Sequence, residues 1–257
     1  MSKLLTRQRM LERIRAALGG DGENPARMPG DLAALPDLGA VLPPISAPNL
    51  ISTFEEELRK VGGCTYRARS RAEIADNLQQ ILKIGGDAGP DRPEGIVLSR
   101  NPLLARLEIK EIIESLGLRA GVWPGEVGRG LAAEEERAYR EQCFSAAAGV
   151  TGVDFALAES GSLVLTSRTE GSQLSSLAPP IHIAFYLQSQ VVGSLEEVLA
   201  GLRLPDRAGS DTDGRSVVFV TGTSRTADIE QILIRGVHGP REVHAILVDW
   251  ETGEKRQ

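Results

Sequence analysis

Residues 221–226 combine hydroxyls, a glycine and an arginine directly after an apolar stretch that is typical of a strand. Residues 225–235 have helical spacing, which predicts a strand-to-helix turn. Free backbone amides, the helix dipole and a guanidinium at such a turn favour a phosphate or carboxylate. The predicted anion site consists of Thr221, Gly222, Thr223, Ser224, Arg225 and Thr226. The alternative is that Ser224 or Thr226 only caps the helix while Arg225 faces water.

Glu159 lies in a Glu-Ser-Gly-Ser sequence between two apolar runs, which predicts a hairpin bend with Gly161 in the turn. A carboxylate at a bend acts as a nucleophile or general base when its pKa is raised. The alternative is an acid that lies in solvent. We predict Glu159 as the candidate catalytic residue, in one crevice with residues 221–226. The other candidate ligand contacts are Thr151, Asp154, Gly161, Ser162 and His238.

The three histidines, His182, His238 and His244, lack the spacing of a zinc-binding helix, and no cysteine is near them. No metal site is predicted. His238 lies on a Gly/Pro turn and is the best of the three for a polar site. His244 lies inside an apolar stretch and is predicted to be a core or edge residue, whereas the position of His182 is ambiguous.

The two cysteines, Cys64 and Cys143, are far apart and form no CxxC pair. An iron–sulfur cluster usually needs about four thiolates, so the chain cannot hold one alone. A disulfide scaffold is excluded as well, because such chains are short and rich in cysteine. No cofactor is predicted, and the cysteine usage fits a cytoplasmic protein.

The formal net charge of -6 and the scattered basic residues argue against binding to nucleic acid. No stretch approaches the ~20 apolar residues of a transmembrane helix. The first 20 residues lack the uninterrupted apolar core of a signal peptide. We therefore predict no membrane insertion.

Strand-like and helix-like stretches alternate from about residue 52 onward. Helices are predicted after capping residues at Ser52, Ser70, Asn101 and Ser194, and over 132–148 and 225–235. Strands are predicted over 64–69, 95–99, 118–123, 181–187, 216–220 and 242–249, with the hairpin between them. This alternation predicts an α/β fold with a mixed, largely parallel sheet that is flanked by helices.

The amino-terminal 50 residues differ from the rest of the chain. Residues 3–18 have the spacing of an amphipathic helix, and six prolines follow within 19–50. This proline density excludes regular secondary structure and predicts an extended arm, which proteases should cut first. The predicted organisation is a helix and proline-rich arm over 1–50, followed by one domain over 51–257.

Three stretches carry a resemblance to a known family. They are TGVDFALAESGSLVL (151–165), SLAPPIHIAF (176–185) and TGTSRTADIEQILIRGVHGPREVHAILVD (221–249). In these stretches the chain resembles the LUD-domain family of lactate-utilization proteins. The resemblance implies a fold similar to the NagB/RpiA/CoA-transferase-like class. By analogy with CoA transferases, Glu159 stands where a catalytic glutamate would be expected, although this is an analogy of fold alone.

The resemblance also implies a role beside two iron–sulfur partner proteins that oxidise L-lactate to pyruvate. The expected function is therefore an accessory, non-redox subunit that binds a small anionic ligand. One alternative is an independent enzyme of the CoA-transferase or sugar-phosphate-isomerase type. Another is an assembly protein whose leading helix and arm grip a partner.

Overall fold

The computed structural model describes residues 49–83, 95–125, 132–202, 216–227, 233–235 and 239–250. The predicted leading helix and the arm up to residue 48 lie outside this part of the chain. His238 lies outside it too.

A six-stranded sheet forms the centre of the fold, and all of its neighbouring strands are parallel. Across the sheet the strands are β1 (Cys64–Ala68), β12 (Glu242–Val248), β7 (Ile181–Leu187), β4 (Ala148–Thr151), β2 (Gly95–Leu98) and β3 (Arg119–Val122). Parallel strands need crossover connections, and helices supply several of them here. The predicted fold class, a largely parallel sheet flanked by helices, is confirmed.

Alternation along β7 shows how the sheet divides the core. Ile183 and Phe185 lie in one buried cluster, which contains residues of the helices over 71–115. Ala184 and Tyr186 lie in a second cluster with Phe54 and with residues of a smaller sheet. Successive side chains of a strand point to opposite faces, so both faces of the large sheet are covered.

The smaller sheet has four strands, in the order β8 (Val191–Val192), β5 (Phe155–Leu157), β6 (Ser162–Thr166) and β9 (Val217–Val220). β5 and β6 form the predicted hairpin, and Gly161 in its bend has φ +64°. Residues 148–151 belong to the large sheet instead of extending this hairpin. The predicted helix over 132–148 is therefore wrong at its carboxyl end, because Ala148 already belongs to β4.

The α-helices of the described residues are α1 (Leu50–Lys60), α2 (Arg71–Leu82), α3 (Pro102–Arg106), α4 (Ile109–Ser115), α5 (Ala133–Ser145), α6 (Ser167–Glu170), α7 (Leu174–Leu177) and α8 (Leu195–Gly201). Ser70 and Ser194 cap α2 and α8 as predicted, since their side chains accept from the third backbone amide of each helix. The predicted cap at Ser52 is wrong, because α1 begins at Leu50 and Ser52 donates to the carbonyl of Asn49.

The predicted helix over 225–235 is also wrong. β10 (Arg225–Ala227) and β11 (Leu233–Arg235) pair antiparallel, with Thr226 opposite Ile234. A short apolar segment with β-branched residues is ambiguous between helix and strand, and here cross-strand pairing decides the outcome. The helix dipole that was expected to attract an anion at residues 221–226 is therefore absent.

Candidate functional site

Polar side chains meet at the carboxyl edge of the large sheet, where β2, β3 and β4 end. This edge is the usual place for ligands in open parallel sheets. Ser99, Arg100 and Asn101 follow β2, Trp123 follows β3, and Gly152 follows β4. α6 closes this edge with Glu170, whose backbone carbonyl accepts from the amide of Arg100 at 3.1 Å.

The carboxylate of Glu170 connects the loops after β2 and β4. Its Oε2 accepts from the Ser99 hydroxyl at 2.5 Å and from the Gly152 amide at 3.2 Å. Its Oε1 accepts from Nδ2 of Asn101. Glu170 and Asn101 are buried, as is Ser99, so the bonds form away from solvent.

The neighbouring bonds determine which atoms donate to Glu170. Oδ1 of Asn101 accepts from the Leu103 amide at 2.9 Å and caps α3, so its Nδ2 must face Glu170. The Ser99 oxygen accepts from the Asn101 amide at 3.4 Å, which leaves its hydrogen for Glu170. Three donors therefore converge on one carboxylate.

Burial raises the pKa of Glu170 to about 7. The Ser99 and Asn101 bonds oppose this rise, and the nearby charge of Asp154 adds to it. A carboxyl with such a pKa exchanges a proton near neutral pH, a property that is common at functional sites and also occurs in structural networks.

Thr151 extends the buried polar cluster toward the middle of the sheet. Its hydroxyl lies 2.8 Å from Nε2 of His182, and both residues are fully buried. Nδ1 of His182 has no hydrogen-bond partner among the described residues. Burial, with a smaller effect of His244, lowers the pKa of His182 to about 3, so the ring is neutral. His182, whose position was ambiguous in the sequence, is thus a core residue.

Asp154 organises the end of the small sheet. Its Oδ2 accepts from the Thr166 amide and the Thr169 hydroxyl, both at 2.8 Å. These bonds hold the turn that leads from β6 into α6. Asp154 thus supports the element that carries Glu170.

Arg100 and Trp123 bring two further donors to this edge. Nη2 of Arg100 donates to the carbonyls of Ser167 and Arg168 at 3.3 and 3.0 Å. Nε of Arg100 and Nε1 of Trp123 are buried and have no hydrogen-bond partner among the described residues. Buried N–H groups are rarely left unpaired, so a hydrogen-bond acceptor is expected beside each of these two groups.

The bend of the hairpin and the turn after β9 meet through hydroxyls. Oγ of Ser162 lies 2.7 Å from Oγ of Ser160 and 2.6 Å from Oγ1 of Thr221. Two glycines in these turns pack on α1: a Cβ at Gly161 would collide with the backbone of Leu58, and one at Gly222 with the carbonyl of Val61. The contact between these two turns therefore contributes to the packing of the small sheet on α1.

The other predicted site residues make separate contacts. Glu159 is exposed, and its Oε1 accepts from the Leu195 amide at 2.9 Å, at the start of α8. Thr223 is buried, and the Ser224 amide donates to the carbonyl of Pro240 at 3.0 Å. Arg225 and Thr226 lie in β10. The structure therefore joins Ser162 with Thr221, and Asp154 with the Glu170 region.

His244 lies inside β12, in agreement with the prediction of a core or edge position. Its Nδ1 lies 3.3 Å from the Tyr66 hydroxyl and its Nε2 lies 3.2 Å from Oε2 of Glu242. No group of His, Cys, Asp and Glu residues that could hold a metal occurs in the described ranges.

Sequence reasoning missed Glu170, Arg100 and Trp123. One signal was available: polar residues 99–101 directly follow the apolar stretch 95–98, as is common at the carboxyl end of a strand. Glu170 gave no such signal, because its side-chain partners Asn101 and Ser99 lie 69 and 71 residues away in sequence.

Fold and site together define an α/β protein with a parallel sheet and a buried polar cluster at its carboxyl edge. The profile of the LUD domain matches residues 51–248, and the chain belongs to this family. Within 49–83, 95–125, 132–202, 216–227, 233–235 and 239–250, no helix is long and apolar enough to span a membrane.

Relatives differ in how much of their length is matched. "Lactate utilization protein C" of Deinococcus radiodurans is 32% identical over 123 residues, which are 48% of this chain and 56% of the relative. The protein of the same name in Anoxybacillus flavithermus is 26% identical over 93% of this chain and 97% of its own. A crystal structure of a duf162 family protein from Deinococcus radiodurans has a TM-score of 0.49 and 21% identity, covering 80% of this chain and 99% of that chain.

Proposed function

We propose that this chain is a non-redox accessory subunit of a system that oxidises L-lactate to pyruvate, and that it binds a small anionic ligand. Its membership of the LUD-domain family and the names of its relatives support the pathway. The proposed partners are iron–sulfur subunits, which would supply the redox centres. The proposed location is the cytoplasm, where free thiols stay reduced.

The non-redox role is supported by the cysteines. The whole sequence has two, and Cys64 is exposed on β1 whereas Cys143 is buried in α5. Burial raises the pKa of the Cys143 thiol to about 11, which disfavours the thiolate that binds iron. Two thiols on separate elements do not make a cluster site.

The ligand role is carried by the polar side chains that converge from separate loops at the carboxyl edge. Arg100 contributes a cation there, and Glu170 holds the loops after β2 and β4 together. This arrangement favours the carboxyl edge over residues 221–226, where strand pairing replaces the expected helix start.

The test is genetic and biochemical. A strain without this gene is expected to grow poorly on L-lactate as the sole carbon source and normally on succinate. The tagged chain is expected to co-purify with iron–sulfur proteins from lactate-grown cells. Normal growth of the deletion strain on L-lactate would contradict the proposed role, and the absence of co-purification would contradict the proposed partners.

A further inference from the structure

Arg100 and Trp123 lie on neighbouring loops at one edge of the sheet. β2 and β3 are paired in parallel, so the residues that follow them emerge on the same side. The Trp123 amide also donates to the carbonyl of Leu98, the last residue of β2, at 3.0 Å. The two loops are thereby held together at their start.

Packing determines the orientation of the Trp123 indole. Its ring meets that of Tyr139 edge to face, with centroids 4.9 Å apart, and the Tyr139 hydroxyl donates to the carbonyl of Leu98 at 2.8 Å. On another side it lies against Gly171, where a Cβ would come within 2.5 Å of Nε1. The indole N–H is therefore held close to the α6 terminus, the same segment that binds Arg100.

The guanidinium of Arg100 is also held in place. Two backbone carbonyls of α6 engage Nη2, and the Arg100 amide binds the carbonyl of Glu170. The carboxylate of Glu170 accepts its three bonds from Ser99, Asn101 and Gly152. Nε of Arg100 thus remains a buried, charged donor without a partner among the described residues.

We propose that Arg100 and Trp123 form a subsite for the carboxylate group of a small organic acid. This inference rests on the proposed function, since it names the chemical class of the ligand. A carboxylate offers two oxygens to the two N–H donors and one negative charge to the one guanidinium. The half-buried indole of Trp123 offers apolar surface for a short carbon chain. An inorganic phosphate would bring more acceptors and charge than these donors satisfy.

Intrinsic fluorescence reports on this subsite, because Trp123 and Trp250 are the two tryptophans of the chain. In the full-length Trp250→Phe variant, L-lactate, pyruvate and acetate are each expected to change the emission of Trp123 in a saturable manner. Sodium chloride at equal ionic strength serves as the blank, and inorganic phosphate as the competing anion. The absence of saturation with every carboxylate, or tighter binding of phosphate, would overturn the assignment.

Two variants test the donors individually. Arg100→Gln, in the Trp250→Phe background, is expected to weaken carboxylate binding about tenfold or more, as is Trp123→Phe measured by calorimetry. Arg140→Gln, which removes an exposed guanidinium over Phe144, is expected to bind like the parent. Trp123→Phe leaves the Arg100 bonds to α6 in place, so it decides the matter if Arg100→Gln does not fold. Parental affinity of folded Trp123→Phe would refute the subsite.

Growth separates this inference from the proposed function. If folded Trp123→Phe loses carboxylate binding and supports normal growth on L-lactate, the subsite stands and the accessory role does not depend on it. If the deletion strain grows normally on L-lactate while the purified chain binds carboxylates, the accessory role fails and the subsite stands.

Discussion

Asn101 joins the start of α3 to the buried carboxylate of Glu170. Its Oδ1 accepts from the Leu103 amide at 2.9 Å while its Nδ2 donates to Oε1 of Glu170. The oxygen and the nitrogen of one side-chain amide are therefore both hydrogen-bonded, and a flipped amide would lose both bonds. Together with Ser99 and Arg100, this residue attaches the loop after β2 to α6.

Asn101→Asp should destabilise the protein by about 2–3 kcal/mol at pH 8, because a hydrogen bond to a charged group is lost and two carboxylates then face each other. The helix cap at Leu103 can still form. Urea denaturation measures the change, with the exposed Glu114→Gln as a surface control. Equal stability of Asn101→Asp and the parent would show that the Glu170 network contributes little to folding.

The pH dependence of stability should reveal Glu170. Its pKa rises from 4.5 to about 7 on folding, so its contribution is fully present below pH 4.5 and is lost as pH rises through 7. Relative to Glu170→Gln, the free energy of unfolding of the parent should fall by up to about 3 kcal/mol over this range. The lowered pKa of His182 also reduces stability below pH 6.5. This effect is the same in parent and variant, so it cancels when their free energies of unfolding are subtracted. If the free energies of unfolding of parent and Glu170→Gln change in parallel with pH, the pKa of Glu170 is not raised.

Gly161→Ala should be more destabilising than Gly117→Ala. Both glycines have positive φ, +64° and +78°, so both substitutions strain the backbone. A Cβ at 161 meets the backbone of Leu58 in α1, whereas a Cβ at 117 meets nothing within 4 Å. We expect an additional loss of about 1–3 kcal/mol for Gly161→Ala. Equal losses in urea denaturation would mean that the bend does not press on α1.

Glu159→Gln tests the predicted catalytic carboxylate. Because the glutamine oxygen can still accept from the Leu195 amide, we expect a loss of stability below about 1 kcal/mol and parental growth on L-lactate. Glu196→Gln, in the first turn of α8, is the matched control. A folded Glu159→Gln protein that fails to support growth, beside a functional control, would favour the enzyme alternative.

The metal content of the purified chain checks the non-redox role. We expect no stoichiometric iron, acid-labile sulfide or flavin, because the two cysteines of the sequence are too few for a cluster. Elemental analysis and the visible spectrum measure this. A cluster spectrum with stoichiometric iron in the isolated chain would reverse the conclusion.

Local patterns in the sequence predict much of the fold. The apolar runs at 95–98, 181–187 and 242–248 are strands, and the serine caps at Ser70 and Ser194 begin helices as predicted. Gly161 bends the hairpin. These features depend on residues within a few positions of one another, so spacing and residue type are sufficient.

The candidate site depends on contacts that spacing does not encode. The sequence by itself determined the α/β class, the low cysteine content and the polar stretch after residue 98. Only the tertiary structure placed Glu170 against Ser99 and Asn101, and only strand pairing made residues 225–227 and 233–235 an antiparallel pair. The reason is that parallel register brings together the ends of strands from distant positions, and burial there changes the pKa of a carboxyl that looks ordinary in sequence.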